Sequence, residues 1–281
     1  MEKSSGEKQL IGIFDSGVGG LSVLREIRHL LPGAPLYYIA DQAHVPYGKK
    51  SLDEIRELSF GITRFLIDIG AGLIVVACNT ASAAALKELR QVHPDIPFIG
   101  MEPAVKPATL HTRNGVVGVL ATPATFQGKL YSTLVERFAN EVQILTSTLP
   151  GLVEEIEAGN LDTPATRQIL ETAIRPMVTQ GADTLVLGCT HFPFVLPLIR
   201  EIAGTDVEVI DPAPAIARRT AFLLEERSIH FGANLKESIT FATTASVERY
   251  KITIKQLLDK DIEPVQLNWR IDLYELSKER K

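Results

Sequence analysis

The chain has two cysteines, and each closes an apolar run at a matching break. GAGLIVVACNT delivers Cys78, followed by Asn79 and Thr80; GADTLVLGCT delivers Cys189, followed by Thr190 and His191. A free cysteine commonly behaves as a small core hydrophobe, and either one alone would be read that way. The matched pair reads differently. The carboxyl end of a buried strand is where open α/β sheets bind ligands, and a helix N-terminus lowers a thiol's pKa from its ordinary value of about 8.5. Two such thiols facing one cleft suit an acid and a base working on opposite sides of one carbon. A disulfide is the less favoured use, because nothing points to an oxidising compartment. The spacing of Cys and His matches no zinc site, so no metal is expected.

The turns beside these residues are polar. Asp15, Ser16 and Gly17 to Gly20 directly follow the first apolar run, where backbone N–H groups of a glycine turn can point at an anion. The spacing is neither G-x-G-x-x-G nor G-x-x-x-x-G-K-[ST], which leaves two readings: an anion-binding turn, or a tight turn capped by Asp15. Asn79-Thr80 and Thr190-His191 repeat the theme, with short polar side chains and expected helix N-termini suited to carboxylate oxygens. His191, two positions from Cys189, is placed to poise that thiol by a hydrogen bond or a proton. His29, His44, His93, His111 and His230 fall in surface-like helices or loops and read as structural or solvated.

Strand-like apolar runs alternate with amphipathic helical patterns along nearly the whole chain, the signature of βαβ units and parallel sheet. Strands are expected at 11–14, 36–40, the run into Cys78, 115–121, 141–145, 185–187 and 207–210. Helical spacing covers Leu21, Leu24, Ile27 and Leu31, then Ile55 through Ile69. Thr122-Pro123 and Thr163-Pro164 both read as an N-cap followed by an N1 proline. The first opens a helix through Phe138; the second opens one that Pro176 should kink or end. Further helices are expected at 214–226 and 247–258. The cysteines lie 189 − 78 = 111 positions apart, each late in a similar series. The expectation is an α/β fold of two pseudo-symmetric domains with mostly parallel sheets and the active site in the cleft between them; identity between the halves is weak.

Composition limits the partners. With 281 residues and 45% hydrophobic content, the chain can build one large or two medium cores. The N-terminus shows no signal-peptide pattern. The longest apolar stretch, 70–78, is far short of the roughly 20 residues a membrane span needs, and a cytoplasmic location is expected. A net charge of −5 and a pI near 5.8, without a dense Lys/Arg run, argue against nucleic acid. The expected ligand is small.

GIFDSGVGGLSVL, DQAHVPYG, VVACNTASA and LGCTHFP occur in that order, and together they resemble the glutamate racemases of the aspartate/glutamate racemase superfamily from about Ile11 to about Leu258. The resemblance implies racemisation of glutamate without a cofactor, feeding D-glutamate to peptidoglycan synthesis, with Cys78 deprotonating the D-isomer and Cys189 the L-isomer. It implies that Asp15 assists Cys78 and His191 assists Cys189. Ser16, Tyr47, Gly48, Asn79, Thr80, Thr125 and Thr190, together with Asp15 and His191, would hold the substrate. Asp41 and Glu157 are secondary candidates. Leu149-Pro150 and His44 depart from the family's Cys-Pro and Arg. The family's fold implies one domain from 1–97 plus 208–281 and another from 98–207. A homodimer is among the assemblies it allows. The segment after 262, including Trp269, matches nothing in the pattern and is open to a terminal helix, an interface element or a frayed tail. Three other readings compete. A racemase of another acidic amino acid, aspartate above all, would differ in side-chain recognition; a cysteine hydrolase would leave one thiol idle; a non-catalytic amino-acid-binding module would need no thiols at all.

Overall fold

A computed structural model of the chain describes residues 10–139, 141–231 and 238–278. In chain order its strands are β1 (Leu10–Asp15), β2 (Leu36–Ala40), β3 (Ala71–Val76), β4 (Phe98–Gly100), β5 (Val116–Ala121), β6 (Gln143–Ser147), β7 (Thr184–Gly188), β8 (Glu208–Ile210), β9 (Ile239–Thr243), β10 (Val265–Arg270) and β11 (Glu275–Lys278). Among the described residues they form two sheets, ordered β11-β10-β9-β2-β1-β3-β4 and β6-β5-β7-β8. Every pairing is parallel except the β10–β11 hairpin.

The central strands β2, β3 and β7 are buried at every position. That is why they read as continuous apolar runs instead of alternating ones: helices cover both faces of a parallel sheet. The helices Leu21–Leu30, Leu52–Asp68 and Asn79–Val92 pack on the first sheet, and Ser51 caps the second of them by accepting from the Glu54 N–H at 3.2 Å. Thr122 and Thr163 cap as their sequences imply, accepting from the N–H groups of Thr125 and Thr166, with proline at the first helical position. Each cap contributes about 1 kcal/mol. One apolar cluster runs from Ile13, Leu24 and Val75 through Leu152 and Ile156 to Ile174 and Leu187. The two sheets therefore share a core, which fixes how their strand ends face each other. No helix among the described residues is long and apolar enough to cross a membrane.

Several expectations shift. Pro176 does not end its helix, which runs Pro164–Thr179; only the final turn lies beyond it, so the missing N–H removes a single bond. The helix expected through Phe138 is split by extended Gly128 into Pro123–Gln127 and Lys129–Phe138. The proline-rich stretch holds strand β4 and helix Val105–His111. β4 pairs with β3, and β8 pairs with β7, so divisions at 97/98 and 207/208 would cut each strand from its own sheet. Pro94 and Pro97 precede β4, an edge strand of the first sheet; the crossing comes after Gly100. The C-terminal segment is neither helix nor loose tail within the described residues, because β10 and β11 extend the first sheet beyond β9.

Candidate active site

β1 ends at Asp15 and its register places Asp15 beside Ala40, the last residue of β2. Phe14 lies beside Val76, so Cys78 emerges at the same carboxyl edge, two residues past the end of β3. In the other sheet Ala121 lies beside Gly188, which brings Thr122 and Cys189 out together. The two edges face one another across a narrow pocket lined by Ser16, Tyr47, Gly48, Cys78, Asn79, Thr80, Cys189, Thr190 and His191, with Pro46, Thr122 and Val153 completing it. Both cysteines are free and buried.

Cys78 is the N-cap of helix Asn79–Val92, and its Sγ accepts from the Ala81 N–H at 3.4 Å. Its Sγ–H also points to Ser16 Oγ at 3.9 Å, and Ser16 Oγ donates to Asp15 Oδ1 at 3.2 Å. The expected depression of this thiol's pKa by the helix is outweighed: burial, then the Asp15 carboxylate, push Cys78 well above the ordinary thiol range, with the helix N–H pulling the other way. Cys189 differs from expectation in another way. No α-helix starts beside it, only the 3₁₀ turn Phe192–Val195 that leads into helix Leu196–Ala203. Its partner is His191 Nδ1 at 3.7 Å.

His191 is clamped from its far side. Its Nε2–H donates to Glu157 Oε1 at 2.7 Å, and the same oxygen accepts from the Val18 N–H at 2.7 Å. Glu157 Oε2 accepts from Gln42 Nε2 at 2.9 Å. Burial works against charge on both residues. It is overcome on His191 by hydrogen bonds to Cys189 and Glu157, which hold the imidazolium form well above the ordinary histidine range. It is overcome on Glu157 by the bond and charge of His191 and by the Gln42 and Val18 donors, which hold the carboxyl below its ordinary range. An imidazole that donates from both nitrogens ties a carboxylate on one side to a sulfur on the other.

Asp15 is fully buried, and burial pushes it up to about 6 despite the nearby His191 charge and hydrogen bonds from Thr190 and Gly17. Thr190 Oγ1 donates to Asp15 Oδ2 at 2.7 Å across the two sheets. The Gly17 N–H donates to Asp15 Oδ1 at 2.8 Å. With the Val18 N–H on Glu157, two of the turn's amides face the protein's own carboxylates, as the capped-turn reading expects. Gly17 is required there, since a Cβ would overlap the Glu157 carboxylate.

Four of the residues named from sequence, Asp15, Asp41, Thr125 and Glu157, stand outside the lining of the pocket. Thr125 bonds to Thr122 at 2.9 Å and to Thr80 at 3.3 Å. Asp41 is fully buried and accepts from the Tyr47 hydroxyl at 2.6 Å. Asn79 is buried with neither its Oδ1 nor its Nδ2 partnered. A buried amide with all of its hydrogen-bonding capacity free is costly unless a ligand fills it. Glu157 moves from a secondary candidate to the clamp on His191. Gln42 was missed, although it follows Asp41 in DQAHVPYG. No group of three or more His, Cys, Asp or Glu side chains suited to a metal ion occurs among the described residues.

Residues 11–220 match the Asp/Glu/Hydantoin racemase family. A glutamate racemase of Roseiflexus sp. (strain RS-1) is 52% identical over 248 residues, covering 88% of this chain and 91% of the relative. A glutamate racemase isoform from Bacillus anthracis superposes with a TM-score of 0.84 at 33% identity, covering 93% of this chain and 98% of that one. The Escherichia coli glutamate racemase in complex with L-glutamate and the activator UDP-MurNAc-ala superposes with a TM-score of 0.79 at 37% identity, covering 91% and 97%.

Proposed function

The chain belongs to the Asp/Glu/hydantoin racemase family, and from that premise we propose that it interconverts L- and D-glutamate using Cys78 and Cys189 as paired base and acid. The observation that carries the reading is that the two thiols, delivered by strands of different sheets, line one pocket.

Removing the α-proton of an amino acid puts carbanionic charge beside an existing carboxylate, so the site must supply proximity and preorganised donors. From L-glutamate, the Cys189 thiolate takes the proton of Cα, and the electron pair left on Cα takes the proton of the Cys78 thiol from the opposite face. The sulfur that began as thiolate ends as thiol, and the reverse. The His191 imidazolium, held by Glu157, stands against Cys189, while burial and Asp15 favour thiol at Cys78. From D-glutamate the states exchange. Ser16 then links the Cys78 proton to Asp15, which near pH 6 is poised to receive it.

Substrate binding is assigned to the residues that face the cavity with capacity left over. Asn79 offers its whole amide. Thr80, Thr190, Ser16 and the Tyr47-Gly48 turn surround it with hydroxyl and backbone groups, and Thr125 supports Thr80. No cofactor is assigned, since acid, base and donors are all side chains of this chain. D-glutamate formed in the cytoplasm would feed peptidoglycan synthesis, a placement that rests on the family resemblance.

The test is to dialyse the purified protein against a chelator, treat it with a carbonyl-trapping reagent and follow the optical rotation of L-glutamate and L-aspartate. The rotation of glutamate should decay to zero while aspartate persists. Faster decay of aspartate would replace the substrate, and activity restored by metal or pyridoxal phosphate would overturn the cofactor-free mechanism.

A further inference from the structure

The hairpin β10–β11 lies beyond residues 11–220, the stretch matched by the family model, yet it reaches the site. Trp269 on β10 donates its Nε1–H to Asp41 Oδ1 at 2.7 Å. That carboxylate is wholly buried behind the cavity wall and collects three further partners: the Tyr47 hydroxyl at 2.6 Å, Thr244 Oγ1 at 2.8 Å and His44 Nδ1 at 3.0 Å. Tyr47 and Gly48 line the reaction cavity. The indole also packs edge-on to His44, with ring centroids 5.6 Å apart, in the loop between Asp41 and Tyr47. On its outer side the hairpin is seated on helix Leu52–Asp68. A Cβ at Gly61 would run into the Trp269 ring and the Tyr274 carbonyl, and Arg64 Nη2 donates to that carbonyl at 2.8 Å.

We propose that Trp269 is a positioning residue for the Tyr47-Gly48 turn, acting through Asp41, so that the C-terminal hairpin sets how tightly the substrate is held. An acceptor with two oxygens can aim one donor only while its other partners fix its plane. Trp269, Thr244 and His44 fix Asp41; Asp41 then fixes the phenol of Tyr47 and with it the turn that faces the ligand. Neither thiol's hydrogen bonds involve these residues: Cys78 bonds to Ser16 and Ala81, and Cys189 to His191. Its loss should therefore weaken binding more than it slows proton transfer.

This inference rests on the racemase reading, and the experiment separates the two. Racemisation of glutamate is measured for the unaltered protein, Trp269→Phe, Tyr47→Phe and the double variant. Trp269→Phe keeps an aromatic ring and removes the donor; losing a bond of this kind should raise KM by about tenfold, with kcat within about twofold. The double variant should bind no worse than Tyr47→Phe alone, because both substitutions interrupt one path. Unchanged KM with a lowered melting temperature, or additive effects in the double variant, would overturn the proposal. An unaltered protein that does not racemise glutamate would sink the racemase reading; an active one with an unaffected Trp269→Phe would sink only this inference. Should Trp269→Phe fail to fold, the single tryptophan of the chain serves as its own probe. Saturating D-glutamate should shift its fluorescence in the unaltered protein and not in Tyr47→Phe, and an unshifted spectrum in the unaltered protein would overturn the proposal.

Discussion

Asp15→Asn should make the protein more stable at neutral pH while slowing it as an enzyme. Asp15 is buried and titrates near 6, against an ordinary value of 3.8. A group whose pKa is raised in the folded state favours folding below its unfolded pKa and loses that contribution as pH rises through its folded pKa. The interval from 3.8 to about 6, at about 1.4 kcal/mol per pH unit, amounts to about 3 kcal/mol lost once Asp15 is ionised. Asparagine removes the titration and can keep the contacts. Its Oδ1 can accept from the Gly17 N–H, and its Nδ2–H₂ can donate to Thr190 Oγ1, whose hydroxyl need only rotate. The melting temperature of Asp15→Asn minus that of the parent should be flat below about pH 4 and climb between about pH 4 and 6. It should level off on the order of 5 °C above its acid value. Turnover should fall, because the acceptor at the end of the Cys78–Ser16 path is gone. The two enantiomers have equal free energy, so kcat/KM must remain equal in both directions; the defect should appear in kcat, KM and the isotope effect of the D-to-L direction. Thermal scans across pH with parallel racemisation assays decide it. A difference in melting temperature that does not vary with pH would refute the reasoning.

Glu157→Gln removes the charge that helps hold His191 protonated, so the pKa of His191 should fall. Hydrogen bonds to charged groups are worth about 1.5–3 kcal/mol, so kcat from L-glutamate should drop by about 10- to 100-fold, with the alkaline limb of the pH profile in that direction displaced to lower pH; an unshifted alkaline limb would remove Glu157 from the account. Asn79→Ala should raise KM for glutamate by about tenfold without lowering the melting temperature, since the amide has no partner inside the protein to lose. A destabilised variant with normal KM would show that Asn79 serves the fold alone.

The legible parts of this protein were the local ones. The thiol-bearing strand ends, the glycine turn and the two Thr-Pro caps each lie within a few consecutive residues, where backbone sterics and capping chemistry write their own signature. The clamp of Glu157 on His191 joins residues 34 positions apart and carries no periodic signal, so only the resemblance pointed to it. The Asp41 cluster was out of reach, because Thr244 and Trp269 arrive from 203 and 228 positions away. Strand β4 was hidden by its length of three residues between prolines. Strand β10 was not hidden: Val265, Leu267 and Trp269 alternate with Gln266, Asn268 and Arg270, a half-buried strand pattern overlooked beside the charged end of the chain.

The central claim is that one thiol works on each face of the α-carbon, and hydrogen exchange during turnover tests it most directly. L-glutamate is racemised in heavy water, stopped early, and both enantiomers are analysed for deuterium at Cα. With Cys189 removing the proton and Cys78 delivering another from the opposite side, the D-glutamate formed should carry solvent deuterium while recovered L-glutamate stays nearly unlabelled. Deuterium entering unreacted L-glutamate as fast as inversion proceeds would mean that a single base serves both faces, and the paired-thiol account would be wrong.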